Sequence, residues 1–190
     1  MAVPMDSSAP AAISAARSSV LVVRDLDLAV LTVTGNDRLP WLNGLVTCDL
    51  APRRPGDGLY GLVVAQKGRI LADATLLVEE AQVRLVVPSS TREALVAHLD
   101  HYLIMEDAEV RAEETLSPWL AVGPQAPSVL AAVRAAGGIG ARADRGALPL
   151  AMLLAPRGET PPGLEAAVAA ASGVVASPPA WDALCLEEAI

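Results

Sequence analysis

Residues 41–73, WLNGLVTCDLAPRRPGDGLYGLVVAQKGRILAD, decide how the chain is read. They set one carboxylate, Asp73, in an otherwise apolar strand that follows a turn at Gln66-Lys67-Gly68. Strict alternation puts Leu71, Asp73, Thr75 and Leu77 on one face and Ile70, Ala72, Ala74, Leu76 and Val78 on the other, and both faces read as covered. A carboxylate inside a sheet either shifts its pKa upward or finds donors that hold it ionised, and functional sites collect such groups. The plainer alternative is an edge strand on which Asp73 guards against edge-to-edge pairing.

Working outward, strands at 59–65, 69–79 and 82–87 form an antiparallel meander, entered from a loop at Arg53-Arg54-Pro55-Gly56-Asp57-Gly58. Upstream, 20–23 and 26–34 are strand-like, and Asn36 or Asp37 caps a short helix through Gly44 with Pro40 in its first turn. Downstream, a capping box from Ser90 to Glu93 opens a helix with an apolar stripe of Leu95, Leu99, Tyr102 and Leu103. Strands near 107–113 and 118–123, a helix at 127–136 stopped by Gly137-Gly138, a strand at 148–154, a helix at 162–172 and a last helix after Pro178-Pro179 complete the pattern. The expected class is α+β, antiparallel sheets with helices packed on them. The expected division is a flexible Ala/Ser/Pro-rich tail at 1–17, a domain at 18–115 and a second lobe at 116–190, with no internal sequence repeat.

The 190 residues suffice for one substantial core or two small ones. A hydrophobic share of 53% and a mean hydropathy of +0.41 come from dispersed Ala, Val and Leu; no apolar run approaches the roughly 18 residues of a spanning helix. Net charge is −8, which argues against bulk attraction to nucleic acid or an anionic membrane, so such a partner would need a local patch such as Arg53-Arg54 or Lys67/Arg69. Cys48 and Cys185 are isolated and lack metal-ligand spacing, and the N-terminus lacks a signal-peptide pattern; together they suggest a reducing, cytoplasmic setting. His98 and His101, one helical turn apart, read as partly solvated side chains rather than a metal pair, because no third ligand lies nearby in sequence.

The order of motifs resembles the superfamily of YgfZ folate-binding proteins and glycine-cleavage T-proteins (aminomethyltransferases). The matching pieces are Trp41-Leu42-Asn43-Gly44, Thr47-Cys48-Asp49-Leu50, Tyr60-Gly61-Leu62, the hairpin Lys67-Gly68-Arg69-Ile70-Leu71-Ala72-Asp73, Arg84-Leu85-Val86-Val87, Tyr102-Leu103-Ile104, and Trp181-Asp182-Ala183-Leu184-Cys185-Leu186-Glu187. The Lys-Gly-Arg form of the hairpin, and Ala72 where T-proteins have the first of two Asp residues, lean toward YgfZ. The resemblance implies tetrahydrofolate as cofactor. It gives Glu187 the role of reading the pterin's amino-oxo edge and makes Asp73 the catalytic carboxylate near the reactive nitrogens. It places Thr47, Asp49 and Tyr60 along the same cavity, and Lys67 and Arg69 are suited to an anionic glutamyl tail. Each has a plainer reading: Tyr60 as a core aromatic, Asp49 as a turn residue, Glu187 as a solvated helix charge.

Departures from the pattern are Pro88-Ser89 where T-proteins carry a pterin-binding Asn, Cys185 in place of Arg, and Glu188-Ala189 in place of Ala-Gly. The YgfZ signature Lys-Gly-Cys-x-x-Gly-Gln-Glu lies beyond the position at which this sequence stops, Ile190, so the resemblance covers the N-terminal half and implies a truncated chain or a second half on another chain. The implied function is a tetrahydrofolate-dependent accessory factor in iron-sulfur cluster assembly or repair, with iron-sulfur clients, or in tRNA modification. The alternatives are an aminomethyltransferase and a non-catalytic interaction module.

Overall fold

The computed structural model describes residues 9–24 and 26–188. In chain order its elements are α1 (Ala9–Ser18), β1 (Leu21–Val23), β2 (Leu28–Thr34), α2 (Arg38–Asn43), β3 (Gly58–Val64), β4 (Ile70–Val78), β5 (Gln82–Pro88), α3 (Arg92–His101), β6 (Glu109–Glu113), β7 (Leu116–Val122), α4 (Ala126–Ala135), β8 (Ile139–Arg142), β9 (Leu150–Pro156), α5 (Leu164–Ala170), β10 (Val174–Ala176) and α6 (Pro178–Glu188). They form two compact units, Asp27–Thr115 and Met1–Leu26 with Leu116–Ile190.

The Asp27–Thr115 unit is a five-stranded antiparallel sheet in the order β3-β4-β5-β2-β6. One face carries Leu31, Val33, Val63, Ala72, Ala74, Leu76, Leu85 and Val87 into a core with Trp41 and Leu42 of α2 and Leu95 and Leu99 of α3. Period-two alternation in the strands and the i, i+4 spacing of Leu95 and Leu99 account for this face. α2 is fixed at both ends. The Trp41 indole N–H donates to the Tyr102 carbonyl at 3.1 Å, and Asp37, the residue before α2, accepts the Asp107 N–H on its carboxylate at 2.8 Å.

In the other unit the sheet order is β10-β1-β7-β9-β8, with Trp119, Val129, Leu130, Val133, Leu153, Leu164 and Val168 in its core. β1 pairs with β7 and β10, so residues 21–23 belong here rather than to a domain beginning at 18. α1 stands where a flexible tail to residue 17 is expected; residues 1–8 of that expected tail lie outside the described residues. The Ala/Ser composition conceals an apolar stripe, Ala12, Ile13, Ala15 and Ala16, which is buried while α1 packs on α6, β1 and β10. The short strands β8 and β10 were not anticipated. Each has too few residues to display an alternation of its own.

The two units share one topology that the sequence does not advertise. Set β3 aside and the first sheet reads β4-β5-β2-β6; set β1 aside and the second reads β10-β7-β9-β8. In each, the first strand is followed by a helix and then by a parallel strand, with the third strand of the unit inserted between the two, the split βαβ arrangement. Equivalent glycines end the first strand of each: Gly35 at φ +99° and Gly123 at φ +123°. A β-carbon on Gly35 would collide with the Asp107 carbonyl oxygen, and one on Gly123 would lie 2.5 Å from that of Ala16. Both positions therefore require glycine twice over, for backbone angle and for space. Gly35→Ala and Gly123→Ala are each expected to lower the free energy of unfolding by about 1–3 kcal/mol or more, read by urea denaturation. A Gly35→Ala protein with an unchanged midpoint would contradict this placement.

Candidate functional site

β4 is an interior strand, flanked by β3 and β5, so Asp73 is not an edge gatekeeper. Its alternation is not strict, however. Val63 pairs with Ala72 and Val64 with Ile70, which leaves Leu71 as the extra residue of a β-bulge. The bulge exchanges the two faces below Ala72. Leu71 packs on the α3-side core, while Ile70 falls on the face of Asp73 and is 59% exposed. The expected grouping of Leu71 with Asp73, and of Ile70 with Ala72, is corrected accordingly. Coverage of both faces is also partial: it is complete from Ala74 to Val78, whereas Asp73 itself is half-buried.

Asp73 faces Leu62 across the ladder, and Thr75 faces Tyr60. Both backbone groups of Leu62 are engaged on the far side of β3: its N–H donates to Thr47 Oγ1 at 2.9 Å, and its carbonyl accepts the Thr47 N–H at 3.0 Å. Leu62 and Asp73 are thus a non-hydrogen-bonded pair, the type in which side chains come closest. Tyr60 is the diagonal neighbour of Asp73 on the same face, at a separation an aromatic ring spans. On the other side of β4, the ladder to β5 runs only from Val78–Val83 to Thr75–Val86. Continuing that register two residues sets Pro88 opposite Asp73, and proline has no N–H to give.

The 45–50 turn is built against this edge. Val46 bridges Val63, the Val64 N–H donates to the Leu45 carbonyl at 3.2 Å, and Asn43 Oδ1 accepts the Leu50 N–H at 2.6 Å. The approach is close enough that a β-carbon on Gly61 would lie 2.8 Å from Cys48 Sγ, which explains the glycine in Tyr60-Gly61-Leu62.

The remaining expected site residues are distributed differently. Asp49 is exposed and acts as a turn residue, its Oδ1 accepting the Ala51 N–H at 3.1 Å and its carbonyl accepting from Arg53 Nε at 3.0 Å. Lys67 is exposed at φ 66° in a 3-10 turn between β3 and β4. Arg69 is exposed and lines a cavity with α3, away from Asp73. Glu187 lies in the other unit, on α6, where it pairs with Arg17 of α1 at 2.9 Å, each side chain half-exposed. Thr47, Tyr60 and Asp73 are therefore brought together by β3 and β4, and Leu62 joins them. Leu62 carries no chemical signal of its own; only the pairing register reveals it.

Ser90 and Glu93 do not form the expected capping box. Thr91 precedes α3, and its hydroxyl donates to the Pro88 carbonyl at 2.8 Å. His98 and His101 stand edge-on to Tyr102, with ring centroids 5.0 and 5.4 Å away. Among the described residues no group of three or more His, Cys, Asp or Glu side chains could hold a metal ion, and no helix is long and apolar enough to cross a membrane.

The model of the GCVT N-terminal domain family matches residues 4–140, well over half of the chain. The chain belongs to that family. The family match ends before α6, so Glu187 lies outside it. Among curated relatives, the aminomethyltransferase of Streptomyces coelicolor is 31% identical over 105 residues, covering 54% of this chain and 28% of that protein. The aminomethyltransferase of Methylococcus capsulatus is 30% identical over 115 residues, covering 60% and 32%. The chain thus spans about a third or less of these relatives' length. Among solved structures, the glycine cleavage system aminomethyltransferase T of Bartonella henselae superposes with a TM-score of 0.64 at 20% identity, over 81% of this chain and 47% of that one. A chain of heterotetrameric sarcosine oxidase from Corynebacterium sp. U-96 gives a TM-score of 0.50 at 16% identity, over 85% and 90%. These two likenesses confirm the α+β, GcvT-like fold. The curated relatives favour the aminomethyltransferase branch over the YgfZ branch that the hairpin suggested.

Burial pushes the Cys48 thiol above the ordinary cysteine range, against the opposing pull of a backbone hydrogen bond and Arg53. A thiol whose pKa is raised is less ionised at any given pH, so Cys48 should react with an aromatic disulfide reagent more slowly than free cysteine near neutrality and accelerate only at higher pH. Gly61→Ala displaces the turn and is expected to raise that rate several-fold, read for Cys48 by peptide mass mapping. Equal rates in the two proteins would contradict the Gly61–Cys48 contact.

Proposed function

We propose that this chain is the folate-site part of an aminomethyltransferase-type protein and that it holds tetrahydrofolate against the β3–β4 face bearing Tyr60, Leu62 and Asp73. The observation that carries the reading is the placement of a half-buried carboxylate diagonal to an aromatic ring on one sheet face, within a member of the GCVT N-terminal domain family. The residues suit the ligand chemically: a flat heteroaromatic ring stacks on or beside Tyr60 and Leu62, and Asp73 accepts hydrogen bonds from ring N–H groups. Bound folate supplies the nitrogen that takes up a one-carbon unit from an aminomethyl donor, with release of ammonia. Asp73 orients that nitrogen and stabilises positive charge developing beside it, an effect that grows as the site is closed to water. Thr47 keeps Leu62 in register and so positions Asp73 without touching the ligand. Lys67 enters this reading only as a group available to the anionic tail, and Glu187, paired with Arg17 in the other unit, has no part in it.

A second reading is kept because Ala72 precedes Asp73 where T-proteins have another Asp. In it the chain binds folate but serves as a YgfZ-like accessory factor in iron-sulfur cluster assembly or tRNA modification, in the cytoplasm.

Titration calorimetry with tetrahydrofolate tests the shared part. Saturable heat is expected with wild type, weakened at least about tenfold, or roughly 1.4 kcal/mol, in Asp73→Asn. No heat at millimolar ligand would overturn both readings. Formation of methylenetetrahydrofolate and ammonia from an aminomethylated lipoyl carrier separates them: turnover supports the first, and folate binding without turnover supports the second.

A further inference from the structure

The bulge at Leu71 also shapes the face that carries Asp73. It turns Leu71 into the α3-side core and brings Ile70 beside Asp73's face, opposite Val64. The Val64 N–H points away from β4, donating to the Leu45 carbonyl at 3.2 Å, just as the Leu62 N–H donates to Thr47 Oγ1. Val64–Ile70 is therefore a non-hydrogen-bonded pair like Leu62–Asp73, the type that sets two side chains closest together. Three pairs follow one another along this face of the hairpin, Thr75–Tyr60, Asp73–Leu62 and Ile70–Val64, with successive β3 members roughly 6.5 Å apart.

Past Asp73 the strip is apolar as far as the turn at Gln66. Leu62 and Val64 are half-buried, and Ile70 is 59% exposed. A lone exposed apolar side chain is ordinary on a protein surface. Ile70 differs in its setting, as the outermost member of an apolar step that begins beside a half-buried carboxylate. The step is read here on the folate reading, on which this inference rests. With Tyr60 beside the pterin and Asp73 beside the nitrogens that share the one-carbon unit, the ligand's next group along the strip is its aminobenzoyl ring, because that ring is bonded directly to one of those nitrogens. Its two flat faces are apolar and match Leu62, Val64 and Ile70. The reverse orientation would lay the polar pterin on Val64 and Ile70, whose side chains offer its N–H and carbonyl groups no partner.

We propose that Ile70 is a ligand-binding residue of this site: with Val64 it seats the aminobenzoyl ring of tetrahydrofolate and so fixes which way the ligand lies along the hairpin. Binding then removes the exposed part of Ile70 from water, and that burial contributes affinity without any charged contact. The bulge is what supplies the residue, since an unbroken alternation would set Leu71 on this face and Ile70 on the other.

The test is an isotope-filtered nuclear Overhauser experiment on the full chain, with isoleucine methyl groups labelled and tetrahydrofolate bound. Contacts from the Ile70 methyl groups to the aryl protons are expected, and none to the ring methylene of the reduced pterin. In titration calorimetry Ile70→Ser is expected to weaken tetrahydrofolate about five- to tenfold, and Ile70→Leu to stay within about twofold of wild type. The methyl contact is read on wild type, so it decides the matter even where Ile70→Ser fails to fold. Wild type that binds tetrahydrofolate without the aryl contact, with a contact to the pterin methylene in its place, or with undiminished affinity in a folded Ile70→Ser protein would each overturn this inference and leave the folate reading standing. Wild type that binds no tetrahydrofolate would remove both.

Discussion

One extra residue in one strand governs what this sheet can do. With the bulge at Leu71, the ladder between β3 and β4 places Asp73 against Leu62 and diagonal to Tyr60, while Leu71 drops into the α3-side core. Without it, every residue below Ala72 would exchange faces, because strand side chains alternate with a period of two. The bulge therefore separates two chemistries that neighbour each other in sequence: Asp73 looks to one side of the sheet and Arg69 lines a cavity on the other. The Thr47 turn holds the register by occupying the outer hydrogen-bonding groups of Leu62, and Gly61 permits that turn to lie close.

Much of the architecture was legible because it follows from periodicity. The meander of β3, β4 and β5 and the stripe of Leu95 and Leu99 on α3 can both be traced in apolar spacing and turn residues. Apolar residues on both faces of β4 left an interior and an edge position open, and the sheet order decides for the interior one. What escaped detection is equally physical. A bulge within Ile70–Val78 changes no residue type, so the run looks the same with or without it. α1 is built from Ala and Ser, whose small side chains give a weak stripe, and the composition resembles that of a linker. Asp49 carries the same letter whether it serves a turn or a ligand, and only its hydrogen bond to the Ala51 N–H distinguishes the two.

The duplicated split βαβ topology was invisible for a different reason. The units conserve connectivity and the backbone demand at Gly35 and Gly123, yet each has its own additional strand, β3 at a sheet edge and β1 within the sheet. Self-similarity of this kind resides in angles and pairing partners, which a one-dimensional comparison does not sample.

The decisive observable is the pairing across β3 and β4. A nuclear Overhauser experiment on the α-protons reads it directly, because only a non-hydrogen-bonded antiparallel pair brings two α-carbons to about 4.5 Å. Strong α-to-α cross-peaks between Leu62 and Asp73 and between Tyr60 and Thr75 are the expected result. Cross-peaks from Leu62 to Ala72 or Ala74 instead would move Asp73 to the α3 side and remove the shared face on which the folate reading stands.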